Sequence, residues 1–232
     1  MSIGILSSMF LLLTGIMATI VTGLFCLYLE GRARTVSIAV LVAWLLYAGI
    51  LGYAGVIATR FPPGPALLVI PVILFMATFV ARHQGVREFA GRVPVELLIG
   101  AQVFRVFVEI GLYGLYQHRL VPRLMTFEGG NLDIIFGLSA PLVAYLYASR
   151  RTNDAVVRVW CFVGIALLAN IVVRSALTFS GAIKTEVPNT GIGMFPFTFI
   201  PGFLAPLALY LHVLLLRSLP RKATPLTTTN MG

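Results

Sequence analysis

Gln102, Arg105 and Glu109 stand at i, i+3 and i+7 in an otherwise apolar stretch. That spacing puts them on one face of a helix, and Tyr113 and Tyr116 continue the stripe. An arginine and a carboxylate one turn apart suit two kinds of chemistry. They pair with each other and hold a bundle together, or they line a pocket where Glu109 carries a proton or cation, or Arg105 holds an anion. Asn170 and Arg174 form a second polar pair one turn apart. Arg174 either snorkels to an interface or closes over the same pocket. His212 shares a helical face with Gly202, Ala205 and Leu209, where it serves as a hydrogen-bonded structural group or a general base. Glu128, Asn131 and Asp133 cluster ahead of a further apolar run. Asn131 or Asp133 suits a helix cap, and together the three could guard the mouth of a pocket.

The elements that carry these groups are membrane helices. Of 232 residues, 59% are hydrophobic and 11% charged, whereas a soluble domain carries about 25% charged residues. A bilayer core about 30 Å thick needs about 20 apolar residues per crossing helix. Seven such segments fit the chain, near 3–29, 36–58, 66–81, 95–117, 132–149, 155–178 and 197–216. The expectation is therefore an all-α bundle of seven transmembrane helices in one domain, residues 1–219, followed by a short polar tail at 220–232. Phe61, Pro62, Pro63, Gly64 and Pro65 make the turn before the third segment. The first segment has no positive leader and no clear cleavage site, so it reads as a retained helix.

The net charge of +9 does not point to nucleic acid, because the basic residues form short clusters at helix ends without interleaved aromatics. They set orientation instead. The N-terminal side carries Arg60, Arg119, Arg123 and Lys184, four in all. The opposite side carries Arg32, Arg34, Arg82, Arg87, Arg92, Arg150, Arg151, Arg158, Arg217, Arg221 and Lys222, eleven in all. This bias places the C-terminus in the cytoplasm and the N-terminus outside.

Segments 1–3 contain no charged side chain within their apolar spans, and small residues (Gly15, Ala18, Gly49, Gly52, Gly55) suit close packing, as scaffold or as the face of a homo-oligomer. Pro201 and Pro206 in the last segment leave the Phe197 and Gly202 carbonyls without their helical donors, and Pro141 does the same to Gly137. Broken helices at membrane depth either fit neighbouring helices or line a cavity. Cys26 and Cys161 lie in apolar runs and read as small buried residues. Only Cys161 and Glu96 stand at a depth similar to His212, a weak basis for a metal centre, so none is expected. The last segment lacks the lysine that a retinal protein needs, and no phosphate-binding glycine loop or HExxH pattern occurs. No residue pattern implies a cofactor.

Several local patterns together resemble an uncharacterised family of bacterial polytopic membrane proteins of about this length. They are Phe104-Arg105 with Glu109, Met125 to Gly129 with Asn131 and Asp133, Pro196-Phe197 with Pro201 and Pro206, and His212 through Leu219. The resemblance covers residues 94–219 and implies a protein of the bacterial cytoplasmic membrane. It implies no activity. The leading functional expectation is a non-enzymatic membrane protein, a transporter or sensor, that binds a small solute, lipid or ion between segments 4 and 7. Gln102, Arg105, Glu109, Tyr113, Asn170, Arg174 and His212 would line the site, with Glu128, Asn131 and Asp133 at its outer mouth. Two alternatives stand beside it. One is a structural or assembly subunit with a charge-locked bundle. The other is a membrane enzyme acting on a lipid or quinone, with Glu109 or His212 as base.

Overall fold

The computed structural model describes residues 2–59 and 64–220, so Arg60, the Phe61–Pro63 part of the expected turn and the tail beyond Pro220 lie outside the described residues. All regular structure among them is helical. The helices are α1 (Ile3–Tyr28), α2 (Gly31–Tyr53), α3 (Val56–Thr59), α4 (Ala66–Phe75), α5 (Gln84–Arg92), α6 (Val95–Gly100), α7 (Phe104–Gln117), α8 (Asp133–Ala148), α9 (Asp154–Phe179) and α10 (Ala205–Ser218). A π-helical turn, Met76–Val80, extends α4, and another, Ile200–Leu204, leads into α10. A 3-10 turn, Ala101–Val103, joins α6 to α7.

Among the described residues, four helical stretches are long and apolar enough to cross a membrane: Ile3–Tyr28, Gly31–Tyr53, Asp154–Phe179 and Ile200–Ser218. A fifth is reached if Ala66–Val80 and Gln84–Arg92, bent by 84°, count as one broken span. The chain is a multi-pass membrane protein, but a count of seven does not follow from helix length and composition. Val95–Gln117 carries Glu96, Arg105 and Glu109 within its apolar run. The 16 residues of α8 span only about 24 Å at 1.5 Å per residue.

The expected segments otherwise lie close to the observed helices, with three differences. Helix α2 starts at Gly31, five residues before 36, and stops at Tyr53, because Gly55 takes a left-handed φ of +69° and turns the chain into α3. Residues 84–92, which fall in the connection between the third and fourth expected segments, form amphipathic α5. Val86, Phe89 and Ala90, spaced for one helical face, are buried. The last segment begins at Ile200, after a turn that includes Phe197.

Three of the proline-broken carbonyls find other donors. The Gly202 carbonyl, freed by Pro206, accepts from Trp44 Nε1 at 2.6 Å. Pro71 in α4 frees the Leu67 carbonyl, which accepts from the Tyr47 hydroxyl at 3.1 Å. The Phe197 carbonyl, freed by Pro201, accepts from Ile200 N at 2.9 Å. A buried carbonyl without a donor is costly in an apolar medium, so the Trp44 and Tyr47 contacts hold α2 against the π-helical turn leading into α10 and against α4, while the Phe197 carbonyl is satisfied locally.

Specific contacts bring the connections together at two ends. Arg92 donates to the Tyr28 carbonyl, Arg217 to the Val80 and His83 carbonyls, and Arg158 to the Pro220 carbonyl. At the other end, Gly191 N donates to the Leu120 carbonyl and Arg123 N to Glu186 Oε1. Bulky apolar side chains of α7, α8 and α9, including Phe107, Ile135, Leu138, Leu142 and Phe162, are exposed on the outside, which suits a lipid-facing surface.

Candidate functional site

The site is built where α7, α8, α9 and α10 approach closely, and glycines permit that approach. A Cβ on Gly137 of α8 would sit 2.8 Å from Val106 Cγ2 and 3.0 Å from Val106 N. Without one, the N-terminal turn of α8 lies against α7. On α9, a Cβ at Gly164 would collide with the Phe136 ring and lie 2.6 Å from His212 Cε1. Its absence lets α8 and α10 close on α9 and leaves the Gly164 carbonyl within reach.

Arg105 occupies the junction. Its Nη2 donates to Asp133 Oδ1 at 2.6 Å and to the Gly164 carbonyl at 3.3 Å. Its Nη1 lies 3.2 Å from His212 Nε2, and its guanidinium carbon stands 4.5 Å from the centre of the Phe136 ring. One side chain thereby contacts α8, α9 and α10. Arg105, Glu109, Asn131, Asp133 and His212 are each at most 5% exposed. At that burial the guanidinium needs a counter-charge and hydrogen-bond acceptors to be tolerated. Asp133 supplies the first, from the opening turn of α8, where a helix terminus favours negative charge.

The partner is therefore Asp133, not the Glu109 one turn along the same helix. Glu109 Oε1 accepts from Asn131 Nδ2 at 2.6 Å. Asn131 has three roles. It also donates to the Met125 carbonyl at 3.3 Å, and its Oδ1 accepts the free backbone N–H of Asp133 at 3.2 Å. Neither Asn131 nor Asp133 is the N-cap of α8, which is Leu132 without a side-chain cap; Asn131 instead holds the Asp133 N–H in a turn just ahead of the helix, and the Asp133 carboxylate goes to Arg105. Three buried polar atoms of α7 and the turn before it have no hydrogen-bond partner among the described residues: Gln102 Oε1, Arg105 Nε and Glu109 Oε2. Gln102 Nε2 donates to the Ala208 carbonyl at 3.1 Å, fastening this strip to α10.

His212 joins a residue that sequence reasoning set aside as a buried apolar group. Cys161 Sγ lies 3.2 Å from His212 Nδ1 and donates to the His212 carbonyl at 3.5 Å. A thiol and an imidazole at this distance resemble a nucleophile–base pair. The hydrogen-bond pattern opposes that role. Arginine only donates, so Arg105 requires Nε2 to accept, which assigns the proton to Nδ1. Nδ1–H then faces the sulfur as a donor and cannot take the thiol proton. Periodicity gave no signal for this pair. Gly164, three residues beyond Cys161, marks where α9 comes close to the ring of His212.

The other expected site residues fall outside this cluster. Arg174 Nε donates to Asn170 Oδ1 at 3.2 Å, and Nη1 to the Gly129 and Leu124 carbonyls at 2.9 and 3.4 Å. It neither snorkels nor reaches Arg105. It clamps the 120–131 connection, the segment that supplies Asn131 to Glu109. Tyr113 stacks on Phe127 of the same connection, ring centres 4.9 Å apart. Glu128 is exposed and pairs with Arg123 at 3.8 Å. Buried Asn189 ties the second long connection to Thr178 Oγ1 at 3.0 Å. No group of three or more His, Cys, Asp or Glu side chains placed to hold a metal occurs among the described residues.

Residues 61–220 match the family described as Domain of unknown function (DUF8737). No curated protein and no solved structure matches the chain.

Proposed function

We propose, for a chain that belongs to the DUF8737 family, that it is a multi-pass transporter or sensor that binds a small hydrogen-bond-donating or cationic solute at Glu109, between α7 and α10. One observation carries the reading. A single guanidinium faces two buried carboxyl groups, Asp133 takes it, and Glu109 Oε2 is left without a partner. A buried oxygen without a donor costs about 1–3 kcal/mol. A solute that donates to it recovers that energy, as functional sites in membranes commonly do. The anion-holding role drops behind, because Asp133, Gly164 and His212 already engage both terminal nitrogens of Arg105. The chain of contacts from Cys161 to Glu109 also makes a poor proton wire. It passes through a guanidinium that does not release its proton and through the backbone N–H of Asp133.

The topology that fits this role has seven crossings, with the N-terminus outside, in a bacterial cytoplasmic membrane. The alternation of basic and basic-poor ends supports it. So does the continuous helical path Val95–Gln117, whose buried charges face the bundle and not lipid. In that arrangement the Arg174 clamp closes the outer mouth. Lipid surrounds the bundle, and the first three apolar segments, away from the basic end of α2 at Arg34, offer the surface for any homo-oligomer.

The test is Glu109→Gln in detergent-purified protein. Melting temperature is followed while sodium, potassium and methylammonium are titrated. Binding at Glu109 predicts a concentration-dependent rise with at least one of these cations. The rise is lost in the variant, while the unliganded melting temperature is kept. If none of the three shifts the wild type and Glu109→Gln is more stable than it, the binding reading fails.

A second reading, a structural or assembly subunit locked by charge, is favoured by a different observation. The single side chain of Arg105 touches α8, α9 and α10 at once from α7. It predicts that removing Arg105 unfolds the bundle and that Glu109 is neutral to function.

A further inference from the structure

Away from the buried cluster, one face of α2 is left uncovered by the rest of the chain. Only Ala48 and Gly52 of its 23 residues are buried. Its N-terminal half borders a groove of about 530 Å³ formed with Cys26 of α1 and lined on α2 by Arg34, Thr35, Ile38, Ala39, Val42 and Leu46. These α2 positions fall on one side of the helix at three- and four-residue steps, so they form one stripe about 18 Å long at 1.5 Å per residue. The stripe is apolar along its length and polar only at its start. Ala39 is small enough to leave room between bulkier neighbours.

Charge decides what suits the groove. Arg34 is its charged lining residue, with Arg32 exposed two residues earlier at the same helix terminus. Arg92 reaches the Tyr28 carbonyl at the adjoining end of α1. Phe89 packs on Phe25, ring centres 5.7 Å apart, and brings α5 with Arg87 to the same corner. Glu30 and Glu88 are the acidic residues of these segments, so the corner is net positive. A second copy of the chain seated here by a two-fold axis would set arginine against arginine. An acyl chain fits the apolar stripe, and a phosphate at its head matches the arginines.

We infer that the groove between α1 and α2 is a binding site for one anionic phospholipid, with an acyl chain along Ile38 to Leu46 and the headgroup phosphate at Arg34. The site is separate from the Glu109 cluster and does not depend on the function proposed for it.

The experiment is native mass spectrometry of the full chain in mild detergent. It is titrated with phosphatidylglycerol and, separately, with phosphatidylcholine of the same acyl chains. The expected result is one phosphatidylglycerol retained per chain, at least about fivefold more tightly than phosphatidylcholine. Arg34→Gln should lower retention about fivefold, and Arg34→Lys should restore most of it. Ala39→Phe, which fills the groove and leaves the charge, should abolish retention while the melting temperature is kept, so a folding defect in one variant does not mask the answer. Equal retention of the two lipids overturns the proposal. So does retention unchanged in Arg34→Gln and Ala39→Phe, or a lipid-free dimer that Ala39→Phe disperses.

Discussion

Replacing Arg105 with Met keeps much of the side-chain volume and removes the charge. The buried contact to Asp133 is 2.6 Å long. Two unit charges with centres about 4 Å apart attract by roughly 4 kcal/mol at an effective dielectric of about 20. The change also removes donors from the Gly164 carbonyl and His212 Nε2. Part of this is offset, because the guanidinium no longer has to be dehydrated. Breaking a buried pair from one side costs about 3–5 kcal/mol, and Arg105→Met is expected in that range. Adding Asp133→Leu removes the unpaired carboxylate. The double variant should return to within about 2 kcal/mol of the wild type, with the residue of the cost coming from His212 Nε2. The assay is reversible unfolding in mixed micelles with rising dodecyl sulfate, followed by circular dichroism for the wild type, both single variants and the double. A coupling energy above about 1 kcal/mol is expected for residues in direct contact. Additive single effects, or a cost of Arg105→Met below about 1 kcal/mol, would refute the pairing.

Three other outcomes are expected. Gly164→Ala forces a methyl group against Phe136 and His212, and should lower stability by about 1–3 kcal/mol or more in the same unfolding assay. Trp44→Phe leaves the Gly202 carbonyl, already deprived of its helical donor by Pro206, without a partner. A loss of about 1 kcal/mol is expected, and a melting temperature equal to wild type would show that the bond does not matter. Arg174→Met removes the donors to Gly129 and Leu124. Amide exchange in residues 120–131 should quicken about tenfold while exchange in α9 is unchanged.

By itself the sequence determined the solvent and the local geometry. A chain this poor in charge cannot stay in water, and its apolar runs can only satisfy their backbone as helices. The 3.6-residue period placed Gln102, Arg105 and Glu109 on one face, and burial of all three followed from the cost of showing charge to lipid. The missing N–H of Pro141, Pro201 and Pro206 identified three carbonyls that lose their helical donor, and Pro71 went unread. Only the tertiary structure decided who those donors and partners are. Arg105 meets Asp133, Gly164 and His212, which are 28, 59 and 107 residues away. The nearby Glu109 instead turns to Asn131. Pairing across helices depends on how closely backbones approach, and that is fixed by the absent side chains of Gly137 and Gly164 and not by any charge pattern. The same holds for Cys161, an ordinary apolar position in its own helix until α10 sets His212 beside it. Helix α5 was legible in the spacing of Val86, Phe89 and Ala90, but it lies outside the apolar runs from which the segments were read. Its apolar face is worth forming only because the rest of the bundle is there to cover it.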